Sequence, residues 1–267
     1  MCRLFGLRAN QRVDLGFSLR EASDSLEEQS RRNPDGWGLA AWDGTWTVEK
    51  RPRRAAGDPV FDRTASSMVG TTFVGHVRLA TAGGLSTANT HPFRIGRWVF
   101  AHNGSVNNPQ RLLAGVPPGL RAARHGETDS EILFVAVLAR VAALADGLDR
   151  EASPALVSKA IRDVASDVLR SGLASGLNFV LSDGNRLWAH RHGYTLHWLD
   201  RRKPAAGRPY LRSVSREVTS ILESKALLGE RALLVASEAL TDEPWQAVPN
   251  DGVLCFDQDL AVLASWA

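Results

Sequence analysis

Residues 127–144, ETDSEILFVAVLARVAAL, and 153–172, SPALVSKAIRDVASDVLRSG, are the two strongest helical stretches of this 267-residue chain. They follow one another directly. The first opens on a capping box, Thr128 to Glu131; the second has Ser153 as N-cap and Pro154 in its first turn. Everything strand-like lies on either side of this pair. C-terminal to it, LNFVLSDGNRLWAHRH (177–192) reads as a hairpin turning at Asp183-Gly184, and YTLHWL, RALLVASEAL, GVLCFD and AVLASW read as further strands. N-terminal to it, CRLFGLRAN reads as a strand and FSLREASDSLEEQSRR as a helix with Leu19, Ala22, Leu26 and Gln29 on one face. NPDGWG is a turn, and WGLAAWDGTWTVEKR is a hairpin turning at Asp43-Gly44. DPVFDRTASSMV reads as a short helix, TTFVGHVRLA as a strand, and RWVFAHNGSV as a strand ending at Asn-Gly. Hairpins flanking a central helix pair favour sheets packed face to face with helices outside. That is an α+β sandwich rather than a doubly wound parallel sheet.

With 44% hydrophobic and 23% charged residues, the composition is that of a globular protein and argues against disorder or a fibrous architecture. No stretch approaches the ~20 apolar residues of a membrane span. Arg3 and Arg8 interrupt the apolar N-terminal run, so the start does not read as a signal peptide, and a cytoplasmic protein with no membrane partner is expected. The net charge of +3 is spread along the chain; RRNPD, KRPRR and DRRKP are short and lack interleaved aromatics, which argues against a nucleic-acid surface. Cys2 and Cys255 cannot form a disulfide framework, and Cys255 alternates within a strand as a core thiol. The seven histidines, the His190/His192 pair included, form no HExxH or Cys/His ligand set, so no metal or other cofactor is assigned. No linker or internal repeat divides the chain. A single domain over residues 1–267 is expected, with 200–230 as an insertion or extended loop.

Five features point to chemistry. Cys2 follows the initiator methionine, whose removal would make it the N-terminus. An α-amine has a pKa of about 8, so a terminal cysteine carries both a nucleophile and a base. The plain alternative is a cysteine at a strand start. AHNGSV offers the Asn103 amide and the Gly104 N–H as oxyanion donors, or merely a turn. GHVRLATAG places Arg78 near the end of a buried strand, where its planar fork needs a carboxylate from the protein or from a ligand. GETDSEI leaves Asp129 at the first helical position, either complementing the helix dipole or holding an ammonium group. TAGGLSTANTHPF, finally, is a loop too long to be a mere connection. Arg78 on an α-carboxylate and Asp129 on an α-amine would together recognise an amino acid by its head, leaving a side-chain amide to reach Cys2.

In this order, MCRLFG, NPDGWG, GHVRLAT, NTHPF, AHNG, GETDSE and VASEAL make the sequence resemble the class II, N-terminal-nucleophile glutamine amidotransferases. Within that family it is similar to the compact stand-alone YafJ-like group and to the ergothioneine-pathway γ-glutamyl hydrolases. The resemblance runs from residue 1 to about residue 240. It implies a four-layer αββα sandwich, with Cys2 as nucleophile, its freed α-amine as base, and Asn103 with Gly104 as the oxyanion hole. It further implies that Arg78, Thr81 and Asp129 hold a glutamine or γ-glutamyl head group and that His91 positions the active-site loop, a plain core or turn histidine being the alternative. Trp37 is expected to pack near the nucleophile; Ser237 and Glu238 match a motif without an assigned role. Leu79 stands where larger synthases of the family often carry tryptophan. The expected reaction is hydrolysis of glutamine or a γ-glutamyl compound through a Cys2 thioester. The alternatives are a subunit feeding ammonia to a separate synthase partner and a non-catalytic binding module that keeps the pocket.

Overall fold

A computed structural model describes residues 2–14, 16, 19–20, 22, 24–148, 151–202, 210–214, 219–223 and 231–265. The chain opens with β1 (Arg3–Asp14), α1 (Leu26–Gln29), β2 (Gly36–Trp42), β3 (Trp46–Arg51), α2 (Pro59–Ser67) and β4 (Val69–Arg78). It continues through β5 (Phe93–Ile95), β6 (Trp98–Val106), a 3-10 turn (Pro109–Gly115), α3 (Pro118–Ala122), α4 (Asp129–Ala145) and α5 (Pro154–Arg170). The C-terminal part is β-rich: β7 (Ala174–Ser182), β8 (Leu187–His190), β9 (His197–Asp200), β10 (Tyr210–Val214), β11 (Thr219–Glu223) and β12 (Ala232–Ala236). It ends with β13 (Gln246–Ala247), β14 (Val253–Phe256) and β15 (Val262–Ser265).

Two antiparallel sheets form the centre. One has the order β13-β9-β12-β1-β4-β2-β3, the other β15-β14-β8-β7-β6-β5. Their facing sides bury Leu4, Val74, Val99, Ala101, Val180, Leu233, Val235 and Leu254. On the outer side of the second sheet, Phe100, Phe179 and Trp188 pack under Phe134, Leu138, Ile161 and Val164 of α4 and α5. On the outer side of the first sheet, Phe5, Trp37 and Phe73 meet Leu26 of α1 and Phe61 of α2. This is the four-layer αββα sandwich, and strand alternation explains it: successive side chains of β1 serve the inter-sheet core and the α1/α2 layer in turn.

The hairpins turn where expected, with Trp42 opposite Trp46 and Gly44 at φ +79°, a conformation that favours glycine. Two sequence expectations are revised. In 17–32 the described helical residues are Leu19–Arg20, in a helical turn, and the α-helix Leu26–Gln29, capped by Ser25. Ala22, Asp24 and Ser25 between them are non-helical; Leu19, Ala22, Leu26 and Gln29 are all buried. Asn103-Gly104 is not a turn: β6 runs through both residues to Val106. The 200–230 stretch contributes a two-stranded antiparallel sheet, β10-β11, and its remaining residues beyond 202 lie outside the described ones. Among the described residues no helix is long and apolar enough to cross a membrane.

Candidate active site

Cys2 precedes β1 and lies beside the end of β4. Arg3 pairs with Val77 in the antiparallel ladder, so the chain direction brings Cys2 to the residues just past Val77. Its thiol is held there twice: Leu79 N donates to Sγ at 3.2 Å, and Sγ donates to Leu79 O at 3.4 Å. Burial pushes the Cys2 thiol up from its ordinary pKa; the Leu79 contact and the Arg78 charge pull the other way. A half-buried, protonated thiol of this kind needs a base before it can attack.

Arg78 is the last residue of β4 and is 3% exposed. Among the described residues its guanidinium meets no carboxylate, which removes the protein salt bridge as its explanation. It donates instead to the carbonyls of Ala82 at 2.7 Å and of Gly83 and Gly84 at 3.2 Å each, curling the 79–92 loop back on the strand end. Asn89 fastens that loop, donating to Gly84 O and accepting from Glu127 N. Thr81 is exposed at the loop's start. Asp35 receives the Ala80 N–H at 2.8 Å, so the NPDGWG turn also holds this segment.

Asn103 and Gly104 stand on β6 of the other sheet, opposite Asn178 and Leu177. The Asn103 side chain is 3% exposed and makes no hydrogen bond to another described residue. A Cβ on Gly104 would fall 2.0 Å from the Gly176 carbonyl oxygen, so only glycine fits. Asp129 joins this strand to α4: its carboxylate accepts from Val106 N at 2.6 Å, and Ser130 Oγ lies 3.4 Å from its other oxygen. The capping box is only half formed as expected. Thr128 accepts from Glu131 N, but Glu131 turns away and accepts from His125 N and Gly126 N.

Three imidazoles lie where β4 and β6 meet, His76 and His91 beside one another and His102 with its ring turned to the α4 side of β6. His76 Nε2 meets His102 O at 3.1 Å, His102 Nδ1 meets Ser130 Oγ at 2.9 Å, and the His91 ring stacks 4.2 Å from His76 and 4.4 Å from Phe93. Burial lowers the pKa of all three, His76 to about 3. They are neutral, and both His91 ring nitrogens lack a partner among the described residues. Lys50 braces the same loop, donating to Thr90 O and Pro92 O, with burial pulling its pKa to about 8. Sequence reasoning passed over His76, His102 and Lys50. Two of them alternate with Arg78 and Gly104 along their strands, which was the available signal.

Cys2 and Arg78 thus lie at one strand end, with Thr81 exposed in the loop that follows. Asn103, Gly104 and Asp129 lie on β6 and α4, and a side-chain contact from β4 to β6 is made by His76 on the His102 carbonyl. Trp37 lies on the other side of the first sheet, stacked edge-on to Phe61 and donating to Asp58, a packing role. Among the described residues no group of His, Cys, Asp and Glu could hold a metal ion. A cavity of about 610 Å³ lies at Glu49–Arg53 and Thr87, and one of about 270 Å³ at Pro34, Arg53, Arg54 and Asp58; neither is lined by Cys2. At Cys2 the local bonds are the protein's own, the thiol on Leu79 and the guanidinium on 82–84. Neither cavity is lined by a cysteine, and the first has Lys50 and Thr87 in its lining. The candidate site is placed at Cys2 because its thiol and the buried Arg78 guanidinium lie together at the end of β4.

A family model for class-II glutamine amidotransferases matches residues 1–265. YafJ of Escherichia coli (strain K12) is 29% identical over 258 residues, covering 93% of this chain and 94% of that protein. The gamma-glutamyl-hercynylcysteine sulfoxide hydrolase of Mycobacterium tuberculosis (strain CDC 1551) is 30% identical over 190 residues, covering 70% of this chain and 71% of that protein. The crystal structure of a predicted glutamine amidotransferase from Pseudomonas aeruginosa PA01 superposes with a TM-score of 0.67 at 23% identity, covering 98% of this chain and 99% of that one.

Proposed function

The chain belongs to the class-II glutamine amidotransferases, and from that premise we propose that it is an amidohydrolase acting on glutamine or a γ-glutamyl amide through Cys2. The observation that carries this reading is the Cys2 thiol held on Leu79, next to a buried Arg78 that has no carboxylate of its own among the described residues.

After removal of Met1, the Cys2 α-amine takes the thiol proton, directly or through one water, and Sγ attacks the side-chain carbonyl carbon. Negative charge builds on the carbonyl oxygen, where the Asn103 amide and the Gly104 N–H donate. The tetrahedral intermediate collapses, the C–N bond breaks, and the ammonium proton passes to the departing amine. Water then adds to the γ-glutamyl thioester, and the C–S bond breaks to give glutamate and restore the thiol. Arg78 receives the α-carboxylate by exchanging the Ala82–Gly84 carbonyls for it, Asp129 faces the α-ammonium, and Thr81 closes the head-group site. His91 and Lys50 hold the loop that carries these contacts.

The similarity to a γ-glutamyl hydrolase supports a leaving amine larger than ammonia. The test is glutamate release by Met1-processed protein from glutamine and a panel of γ-glutamyl amides. Release that Cys2→Ala abolishes supports hydrolysis. Release that occurs only with an ATP-dependent synthetase present supports the ammonia-supplying reading, and binding without any release supports a non-catalytic module.

A further inference from the structure

The nucleophile needs more than a thiol in the right place, because its residue lies outside the sheet. Arg3 is the first paired residue of β1, and the ladder does not hold Cys2 itself. Fixing the backbone of one unpaired residue costs about 1–2 kcal/mol of conformational entropy, and chain termini fray unless tied down. Loss of Met1 would leave Cys2 attached on one side only.

Two side chains from the far end of β12 tie that side down. Ser237 takes both backbone groups of Leu4, accepting its N–H on Oγ at 2.9 Å and donating its own N–H to Leu4 O at 3.0 Å. Ser237 is 1% exposed. One residue on, Glu238 Oε1 meets Arg3 Nη2 at 3.2 Å, while Arg3 Nη1 curls back to donate to the Cys2 carbonyl at 3.2 Å. Thr195 Oγ1, from the segment before β9, lies 3.4 Å from the same Glu238 oxygen. The Arg3 guanidinium is mostly buried, with its side chain 16% exposed.

From this geometry we infer that Glu238 is a positioning residue: acting through Arg3, it clamps the Cys2 carbonyl so that the thiol stays on Leu79. The inference rests on Cys2 being the nucleophile. Every contact in the clamp is made C-terminal to the Cys2 amine, so removal of Met1 leaves it intact. It also gives the Ser237-Glu238 motif a role: one residue anchors the strand and the next its first residue.

The experiment uses the full-length processed chain and two readouts. The first is steady-state glutamate release. Glu238→Ala is expected to lower kcat by about tenfold or more with KM nearly unchanged, the pattern of a displaced reacting group. Glu238→Gln keeps an acceptor for the guanidinium and is expected to stay within about threefold of the parent. Arg3→Ala combined with Glu238→Ala should be no slower than the worse single variant, because both remove one clamp. The second readout needs no substrate: the rate at which iodoacetamide alkylates Cys2, followed by peptide mass, with buried Cys255 as the internal reference. Loosening the clamp should raise that rate several-fold in Glu238→Ala at unchanged melting temperature.

A Glu238→Ala protein that alkylates Cys2 at the parental rate overturns the inference, as does one whose KM alone rises, since Glu238 would then touch substrate. If the parent protein releases glutamate from nothing while Glu238→Ala still speeds alkylation, the clamp stands and the hydrolase reading falls.

Discussion

The Asp129 carboxylate accepts the Val106 backbone N–H at 2.6 Å, fixing the first turn of α4 to the end of the strand that carries Asn103 and Gly104. One acid therefore serves both the scaffold and the proposed ammonium site, and its substitution should separate the two.

Asp129→Asn retains an oxygen for Val106 while losing the charge. A hydrogen bond to a charged group contributes about 1.5–3 kcal/mol, so kcat/KM should fall by about 10- to 100-fold, mainly through KM, with the melting temperature little changed. Steady-state kinetics beside a thermal melt check it; a melt that collapses with KM intact would make Asp129 purely structural.

Arg78→Lys tests the forked contact. Lysine keeps the charge but cannot span three carbonyls or grip a carboxylate bidentately. Activity should drop by about 10-fold or more, and limited proteolysis should cut the 79–92 loop faster than in the parent. Parental kinetics and parental proteolysis would remove Arg78 from both roles.

Gly104→Ala places a methyl group against the Gly176 carbonyl, where the gap would be 2.0 Å. Backbone faces backbone there, so relief requires β6 and β7 to part. A loss of about 1–3 kcal/mol or more is expected, read as a lower denaturant midpoint. Serine at this position should do no better.

Acid should destabilise the fold through its buried histidines. Burial depresses His76 to about 3 and His190 to about 4, and lowers His91 and His102 as well. The unfolded chain takes up these protons near pH 6.5 and the folded one does not, so stability is complete above about 6.5 and falls as pH drops toward 4. Each such histidine adds a slope of up to about 1.4 kcal/mol per pH unit. Chemical melts between pH 7.5 and 4.5 check the sign, and His91→Leu should flatten the acid limb.

The layers were legible because period and punctuation agreed along most of the chain. Alternation marked the strands, Asp-Gly marked two hairpins, and the Thr128 and Ser153 caps fixed the starts of the long helices. What misled was local chemistry that tertiary contacts override. Asn103-Gly104 reads as a turn, yet the neighbouring strand needs a glycine there for close approach. Gly104 is thus a packing requirement that no single-strand pattern reveals. The helix read across 17–32 is found in part: Leu19–Arg20 and Leu26–Gln29 are helical, but the chain is non-helical at Ala22, Asp24 and Ser25. Ser25 caps the second piece, because burial of one face does not require a continuous helix. Of the site, the residue types were readable but their partners were not. That Arg78 grips its own loop, or that Glu238 reaches Arg3 from 235 residues away, depends on which strands lie side by side.

The most direct test of the account is to quench the Met1-processed protein in acid during turnover of a γ-glutamyl amide and weigh the intact chain. A γ-glutamyl adduct on the Cys2 peptide, absent from Cys2→Ala and lost on mild alkaline hydrolysis, is the predicted result. Glutamate release that continues undiminished in Cys2→Ala, with no adduct on either protein, would contradict it.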